Sequence, residues 1–400
     1  MVTQEKEKSK VEKKETKKNK KKGLLKIFRS ILILGLLGMA TLSIVLYGPW
    51  SGFRDWYITS AMTTMNHQWL ATMFYDEETI KVVMEKNKII EIDDVTDQTL
   101  ISTAGDKEAD DDDEIVYKNE YERAVLEKDP EHPAYKLIDI EGKTYNGYLA
   151  VVYDPSTIHT MVTSRLNVCG EYVTKMAQRE GAVLAVNGGG FDDPNYSSNG
   201  GTPTGITFTR GKAVTKKNNA GSGGLIGFTD DNVLTLGRLS VAQAEELGMR
   251  DAVTCGPFLI INGKSSEILG NGGWGQAART VIGQRKDGIV LMLVLNGRNY
   301  KTGILGADMD DLIEIMERYG AYNAACLDGG TSSVMVENGK IINDPIDSTG
   351  AHKTRFVPTA FGVFVDEENE EEIEDTDNTV NNQNKTTNKN NSKKVNNTKK

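Results

Sequence analysis

Apolar positions recur along this chain with several periods, and each predicts a different kind of structure. Residues 30–47 form an uncharged apolar run of about 18 residues, near the lower end of what spans a bilayer as a helix. The following stretch, "AMTTMNHQWLATMFYDEETIKVVMEKNKII" (61–90), keeps its apolar residues at helical spacing on one side and predicts a helical stalk. From about Tyr135 the pattern changes again. "YNGYLAVVYDP" alternates and ends in Asp-Pro, which predicts a strand and then a turn. Residues 171–180 put Val173, Met176 and Ala177 on one helical face, with Gly181 as the stop, and the short buried strand "AVLAV" follows. Residues 240–247 carry a Ser-x-x-Gln capping box before a small helix that ends at Gly248. "TVIGQRKDGIVLMLVLNG" reads as two strands joined at Asp287-Gly288. Asp308 caps a helix stopped by Gly320, and "AYNAACL" is another strand. Strands outnumber helices and come both as hairpins and as helix–strand units. The expected class is therefore α+β: a single mixed α/β domain with a large sheet flanked by helices, preceded by a transmembrane helix and the stalk.

Charge sharpens the organisation. The net charge of −10 is unevenly spread. Residues 1–22 are basic, residues 106–114 ("DKEADDDDE") acidic, and residues 366–400 first acidic and then Asn/Lys/Thr-rich. Such low-complexity pieces bury too little apolar surface to fold, so disorder is expected in them. Lys20, Lys21, Lys22, Lys26 and Arg29 precede the apolar run, while Trp50, Trp56 and Tyr57 lie at or beyond its far end. Positive-inside logic then puts the N-terminus in the cytoplasm and everything beyond residue 50 outside, on a single-pass anchor in the cell membrane. No small-x-small cleavage site is evident after Tyr47, which favours a retained anchor over a signal peptide. The anchor also argues against nucleic acid as the partner of the basic arm. The expected divisions are a basic cytoplasmic tail (1–22), an anchor (23–48), a stalk and acidic linker (49–134), a main domain (135–365) and a disordered tail (366–400). Three cysteines give no disulfide framework and no CxxC knuckle, and four histidines without HExxH make a His/Cys zinc centre a poor reading. His67 reads as a packing or surface residue.

Two helix–strand units end alike. In "REGAVLAVNGGGF" and "RYGAYNAACLDGGTSS" a Gly ends a helix and an apolar strand follows. A single polar residue, Asn187 or Asp328, then meets a run of glycines. Such strand ends can be plain hairpin turns, since Asp-Gly between apolar runs is a strong turn signal. They can also be ligand sites, because glycines let a ligand approach the backbone closely. Neither loop is a Walker A or GxGxxG motif. Asp192 and Asp193 read as turn residues, and Asp308, Asp310 and Asp311 as an N-cap with first-turn acids. Cys255 has no His partner nearby in sequence and is a poor nucleophile candidate.

The ordered set "AVNGGGF", "CGPFLIINGK", "ARTVIGQRKDG", "LVLNGR", "LDGGTSSVMVENGKIINDP" and "TRFVPTAFGVF" resembles the phosphodiester glycosidase (uncovering-enzyme-like) family, over residues 145–365. Bacterial members are often exopolysaccharide-related. The resemblance implies a membrane-anchored extracellular hydrolase that cleaves a sugar-1-phosphodiester in cell-envelope or exopolysaccharide glycans. The alternative is a non-enzymatic glycan-binding or envelope-assembly protein on the same fold. Asn187, Gly188 and Phe191 match the family's glycine loop, and Arg279 and Thr280 its Arg-Thr pair. Arg298 matches the Arg of an Asp-Gly-Arg motif whose acid is here Asn296. Asp328, Gly329, Gly330, Ser332 and Ser333 match Asp-Gly-Gly-x-Ser-Ser, and Arg355 lies near a late Arg. The implied roles are Asp328 as the catalytic carboxylate with Glu171 as a candidate second. Arg279 and Arg298 would hold phosphate, and the remaining residues would bind substrate. No cofactor is required by this chemistry, although the Asp-rich loops leave room for an oxygen-ligand divalent metal.

Overall fold

The computed structural model describes residues 2–63, 68–103, 116–130, 132–194, 198–217, 223–347 and 349–365, with residues 2–22 as backbone only. His67, the acidic run at 106–114 and the tail from residue 366 lie outside the described residues. Contacts divide the chain into two compact units that meet between Lys86 and Asn87.

The first unit is helical. Its first helix is Val2–Tyr47. The basic stretch expected to be disordered thus continues the apolar segment as one helix. Lys and Glu are strong helix formers, and a helix already nucleated propagates cheaply. Gly23–Tyr47 is long and apolar enough to cross a membrane, with a mean hydropathy of 2.2 over its best window. Helices Ser51–Met62, Gln68–Phe74 and Glu77–Lys86 follow. They pack around Ile58, Ala61, Ala71, Tyr75, Ile80 and Val83. The Tyr75 hydroxyl donates to the Leu46 carbonyl at 2.7 Å, which ties this bundle to the end of the first helix.

The second unit holds the sheets, and every strand pairing in it is antiparallel. The α+β class is as expected, but the strands are shared among three larger sheets instead of one. A seven-stranded sheet runs in the order Lys264–Ser265, Phe258–Ile261, Ala321–Cys326, Arg279–Arg285, Val290–Leu295, Asn146–Val152, Tyr135–Glu141. A five-stranded sheet runs Lys340–Ile341, Met335–Glu337, Leu184–Asn187, Thr359–Val363, Ile158–Val162. Another runs Lys212–Lys216, Ile206–Thr209, Met249–Cys255, Gly224–Thr229, Leu234–Gly237. Periodicity shows which face of a strand is apolar, not which distant strand lies beside it. Val290–Leu295 shows the layering. Val290, Met292 and Val294 face a core shared with Leu184, Val186, Phe361, Ile226 and Phe228 of the five-stranded sheets. Leu291, Leu293 and Leu295 face the helix Met309–Arg318 through Leu312, Ile315 and Met316. The helix Val173–Glu180 covers the outer side of the first five-stranded sheet through Val173, Met176 and Ala177.

The main domain also starts earlier than the expected boundary at 135. Ile89–Ile90 pairs with Glu267–Ile268. The Glu91 carboxylate accepts hydrogen bonds from the Gly223 and Phe258 amides at 2.9 and 2.8 Å. Thr96 exchanges two hydrogen bonds with Leu236, and the Ser102 amide donates to the Lys286 carbonyl. Val125, in the helix Glu120–Leu126, is fully buried in the core beneath the seven-stranded sheet. Residues 87–103 and 116–134 therefore belong to the domain and not to a stalk and linker. Their polar, non-periodic sequence hides this because the ties are scattered hydrogen bonds to distant residues, from side chains such as Glu91 and Thr96 and from backbone groups, and leave no hydrophobic period.

Candidate active site

The two strand ends that look alike in sequence belong to facing sheets, and they meet. The Asp328 amide donates to the Gly188 carbonyl at 3.0 Å. The Asn187 side-chain amide donates to the Asp328 carbonyl at 2.6 Å. Its oxygen accepts from the Thr280 hydroxyl at 2.7 Å and from the Val334 amide at 3.1 Å. Asn187 has no exposed surface and Thr280 only 1%. Both side chains are spent on holding the loops together, so they stand behind the site and not on its surface. The glycines after Asn187 serve packing as well. A Cβ on Gly188 would lie 2.5 Å from Thr359 Oγ1, and one on Gly189 would lie 2.6 Å from the Thr254 carbonyl oxygen.

Asp328 itself is half-buried. Burial is the largest influence on its carboxyl and pushes it up to about 6. The Ser332 hydroxyl, the Arg355 charge and the Gly329 N–H pull the other way, while nearby Asp193 adds to the rise. Asp193 is 5% exposed and forms an ion pair with Arg355. It also accepts the Ser198 amide at 3.0 Å. Burial disfavours its charge, but the hydrogen bonds from Arg355 and Ser198 outweigh burial and hold it below the usual carboxylate range. The Arg355 guanidinium lies 4.6 Å from the ring centre of Phe191. Asp193, Arg355 and Phe191 thus form one wall beside Asp328.

The other wall is cationic. Gly330 sits in the left-handed region at φ +63°, and Arg298 reaches so close that a Cβ on Gly330 would lie 2.9 Å from its Nη2. Arg298 Nη1 donates to Thr331 Oγ1 at 2.7 Å. Arg279 is 8% exposed and donates to the carbonyls of Ala307 and Gly275. Its guanidinium lies 5.7 Å from the Trp274 ring centre, and a Cβ on Gly329 would lie 3.8 Å from its Nη1. Burial lowers its pKa. Among the described residues neither Arg279 nor Arg298 forms an ion pair with a carboxylate. Burial disfavours the Arg279 charge, nearby Asp308 offsets only part of that, and an arriving anion would relieve the rest. Gly330→Ala is expected to cost about 1–2 kcal/mol from the φ value alone and to displace Arg298; thermal melts and substrate KM would register both.

Other expected residues fall elsewhere. The Glu171 carboxylate accepts the Ser164 amide at 2.7 Å and pairs with Arg179 at 3.0 Å. It lines a surface depression with Arg165, Tyr172 and Phe356. The second carboxylate beside Asp328 is Asp193, which the sequence presents as a turn residue before Pro194. The only signal for it was its position two residues beyond Phe191, the last residue of the matched glycine loop; its partner Arg355 is distant in sequence. Ser332 touches Asp328, whereas Ser333 is fully buried and its hydroxyl has no hydrogen-bond partner among the described residues. Asn296 ties loops: it donates to Asn146 Oδ1 at 3.0 Å and accepts the Asp344 amide at 2.8 Å. Burial, with Asp328 nearby, pushes the Cys255 thiol up, away from any nucleophilic role. Asp308 and Asp311 form a reciprocal capping box, as their spacing predicts. Among the described residues no three His, Cys, Asp or Glu side chains converge as a metal cluster.

Comparison with known proteins bears on the same segment. Residues 180–364 match the family model described as phosphodiester glycosidase, a narrower span than the 145–365 of the motif resemblance. Over 204 residues the chain is 30% identical to the uncharacterized SPbeta prophage-derived protein YomE of Bacillus subtilis strain 168. That alignment covers 48% of this chain and 29% of YomE, so the chain spans less than a third of that relative. Among solved structures, the zebrafish N-acetylglucosamine-1-phosphodiester alpha-N-acetylglucosaminidase catalytic domain, auto-inhibited by its pro-peptide, superposes with a TM-score of 0.49 at 20% identity, covering 60% of this chain and 86% of that one. A hypothetical protein from Synechocystis superposes with a TM-score of 0.38 at 15% identity, covering 58% and 61%.

Proposed function

We propose that this chain, a member of the phosphodiester glycosidase family over residues 180–364, hydrolyses the glycosyl–phosphate bond of a sugar-1-phosphodiester at Asp328. One observation carries the reading: two guanidiniums that form no ion pair among the described residues, Arg279 and Arg298, flank the Gly329-Gly330 turn directly after a carboxylate of raised pKa.

The phosphate of the substrate lies against Arg298 and against Nη1 of Arg279, the Arg279 group left over by its bonds to the Ala307 and Gly275 carbonyls. The sugar lies toward Asp193, Arg355 and Phe191. Ionised Asp328 works at the anomeric carbon, where positive charge develops in an oxocarbenium-like transition state. The bond between that carbon and the phosphate oxygen breaks, and its electron pair leaves with the phosphate. Water supplies a hydroxyl to the sugar and releases a proton. The products are a reducing sugar and a phosphomonoester. Phosphate held by two cations leaves readily, which lightens the demand for a strong acid on the leaving oxygen. Asp193, kept ionised by Arg355, adds negative charge beside the reacting carbon. Asn187 and Thr280 act through Asp328 by fixing its backbone. No step draws on a metal.

The rate is expected to follow the ionised form of Asp328. Turnover therefore rises with pH through about 6 and levels off above it. A profile of kcat/KM flat between pH 5 and 7.5 would remove Asp328 from this role. Arg298→Lys keeps the charge but loses the fork, and KM for the diester is expected to rise about tenfold. The direct test is to incubate the protein with sugar-1-phosphodiesters and assay reducing sugar with phosphomonoester. Binding without release of either product would favour a glycan-binding protein on the same fold. The basic residues ahead of Gly23–Tyr47 support an orientation with the domain outside the cell, where envelope or exopolysaccharide glycans are the substrates at hand.

A further inference from the structure

A depression of about 630 Å³ opens on the domain at residues that the catalytic reading leaves unused. Two of its lining residues are aromatic and unusually exposed: Tyr172 at 41% and Phe356 at 39%. Their ring centres lie 4.5 Å apart with the planes at 55°, so together they offer a bent apolar platform. Around it stand three cations. Arg179 is already occupied by Glu171 and Glu180, both at 3.0 Å. Arg165 and Lys175 are exposed and form no ion pair among the described residues.

The depression is built into the walls of the Asp328 site. Phe356 directly follows Arg355, the residue that pairs with Asp193. Gly200 packs so tightly on the Phe356 carbonyl that a Cβ there would lie 2.3 Å from its oxygen. The same loop supplies the Ser198 amide to Asp193 at 3.0 Å. The Gly170 amide donates to the Asn199 carbonyl at 2.8 Å, and the Asn167 amide to the Gly201 carbonyl at 2.7 Å. A ligand seated in the depression is thereby held in fixed relation to Asp193 and Arg355.

Aromatic platforms take the apolar face of a sugar ring, and free cations take phosphate. A neutral sugar leaves the cations unused, and free phosphate leaves the rings unused. We infer that this depression is a second subsite, which takes the neighbouring phosphate-linked saccharide unit of a polymeric substrate. This rests on the glycosidase reading of Asp328 and adds to it that the substrate is an anionic glycan chain and not an isolated diester.

The test uses the full chain in detergent micelles and synthetic sugar-phosphate oligomers of one and three repeats. Binding is measured by calorimetry on Asp328→Asn, so that it is read without turnover. The trimer is expected to bind about tenfold tighter than the monomer. Adding R165E and K175E should bring that ratio close to one, with monomer affinity unchanged. Tyr172→Ala, which keeps every charge, should lower the ratio too. A trimer preference equal in all variants, or no preference in the parent, overturns the subsite. If the preference is present and lost as expected while the wild-type chain releases no reducing sugar, the subsite stands and the hydrolytic reading fails.

Discussion

Asp328→Asn lowers turnover by about a thousandfold or more and raises thermal stability at neutral pH. The two effects share a cause. Burial lifts the folded-state pKa of Asp328 from 3.8 to about 6. Below the unfolded value the carboxyl is protonated in both states and carries no penalty. As pH rises toward 6 the unfolded chain ionises first, and stability is lost across that window. Above it the folded protein bears the cost of a charge in a poorly solvated place. Allowing for the partial exposure of Asp328, that cost is about 1–3 kcal/mol at pH 7. Asn removes it. The variant should melt a few degrees higher than wild type at pH 7 and with it at pH 4. A variant that is active, or one less stable at neutral pH, would make Asp328 a structural turn residue.

The second large effect falls on Asn187, which touches no substrate in this scheme. Asn187→Ala strands the Asp328 carbonyl, the Thr280 hydroxyl and the Val334 amide inside the domain. At about 1–3 kcal/mol for each unpaired buried group, discounted for relaxation, a loss of about 3–5 kcal/mol is expected. Activity falls with it, because the loop carrying Asp328 loses its anchor to the facing strand. Asn187→Asp separates the two contributions. It keeps an acceptor for Thr280 and Val334 but loses the donor to the Asp328 carbonyl. It also puts a second carboxyl behind Asp328. The acid limb of the pH–rate profile should therefore move to higher pH in any residual activity. Thermal melts of both variants and a pH–rate profile of the second check this. An unshifted limb in a well-folded Asn187→Asp protein would mean that this clamp does not govern Asp328.

Much of the site was legible in local pattern. The strand ends at Asn187 and Asp328, the capping box at Asp308 and the turn at Asp287-Gly288 all follow from short-range chemistry. The pairing of those two strand ends is a contact between sheets, and a period-2 pattern carries no record of it. Asp193 was hidden for the same reason: beside Pro194 it reads as a turn, and only Arg355 reveals its buried ion pair. Glu171 was the opposite case. It stood out as an acid at the start of a helix, yet Arg179, eight residues later, claims it. The strap at residues 87–103 is tied down by single polar side chains such as Glu91 and Thr96 as well as by backbone groups, and an isolated polar residue does not reveal a distant partner.

The central claim is that water attacks the sugar and not the phosphate. Hydrolysis of a sugar-1-phosphodiester in ¹⁸O-labelled water, followed by mass spectrometry of both products, tests it most directly. The label is expected at the anomeric hydroxyl of the released sugar, with an unlabelled phosphomonoester. Label in the phosphate, or release of a sugar 1-phosphate, would contradict it.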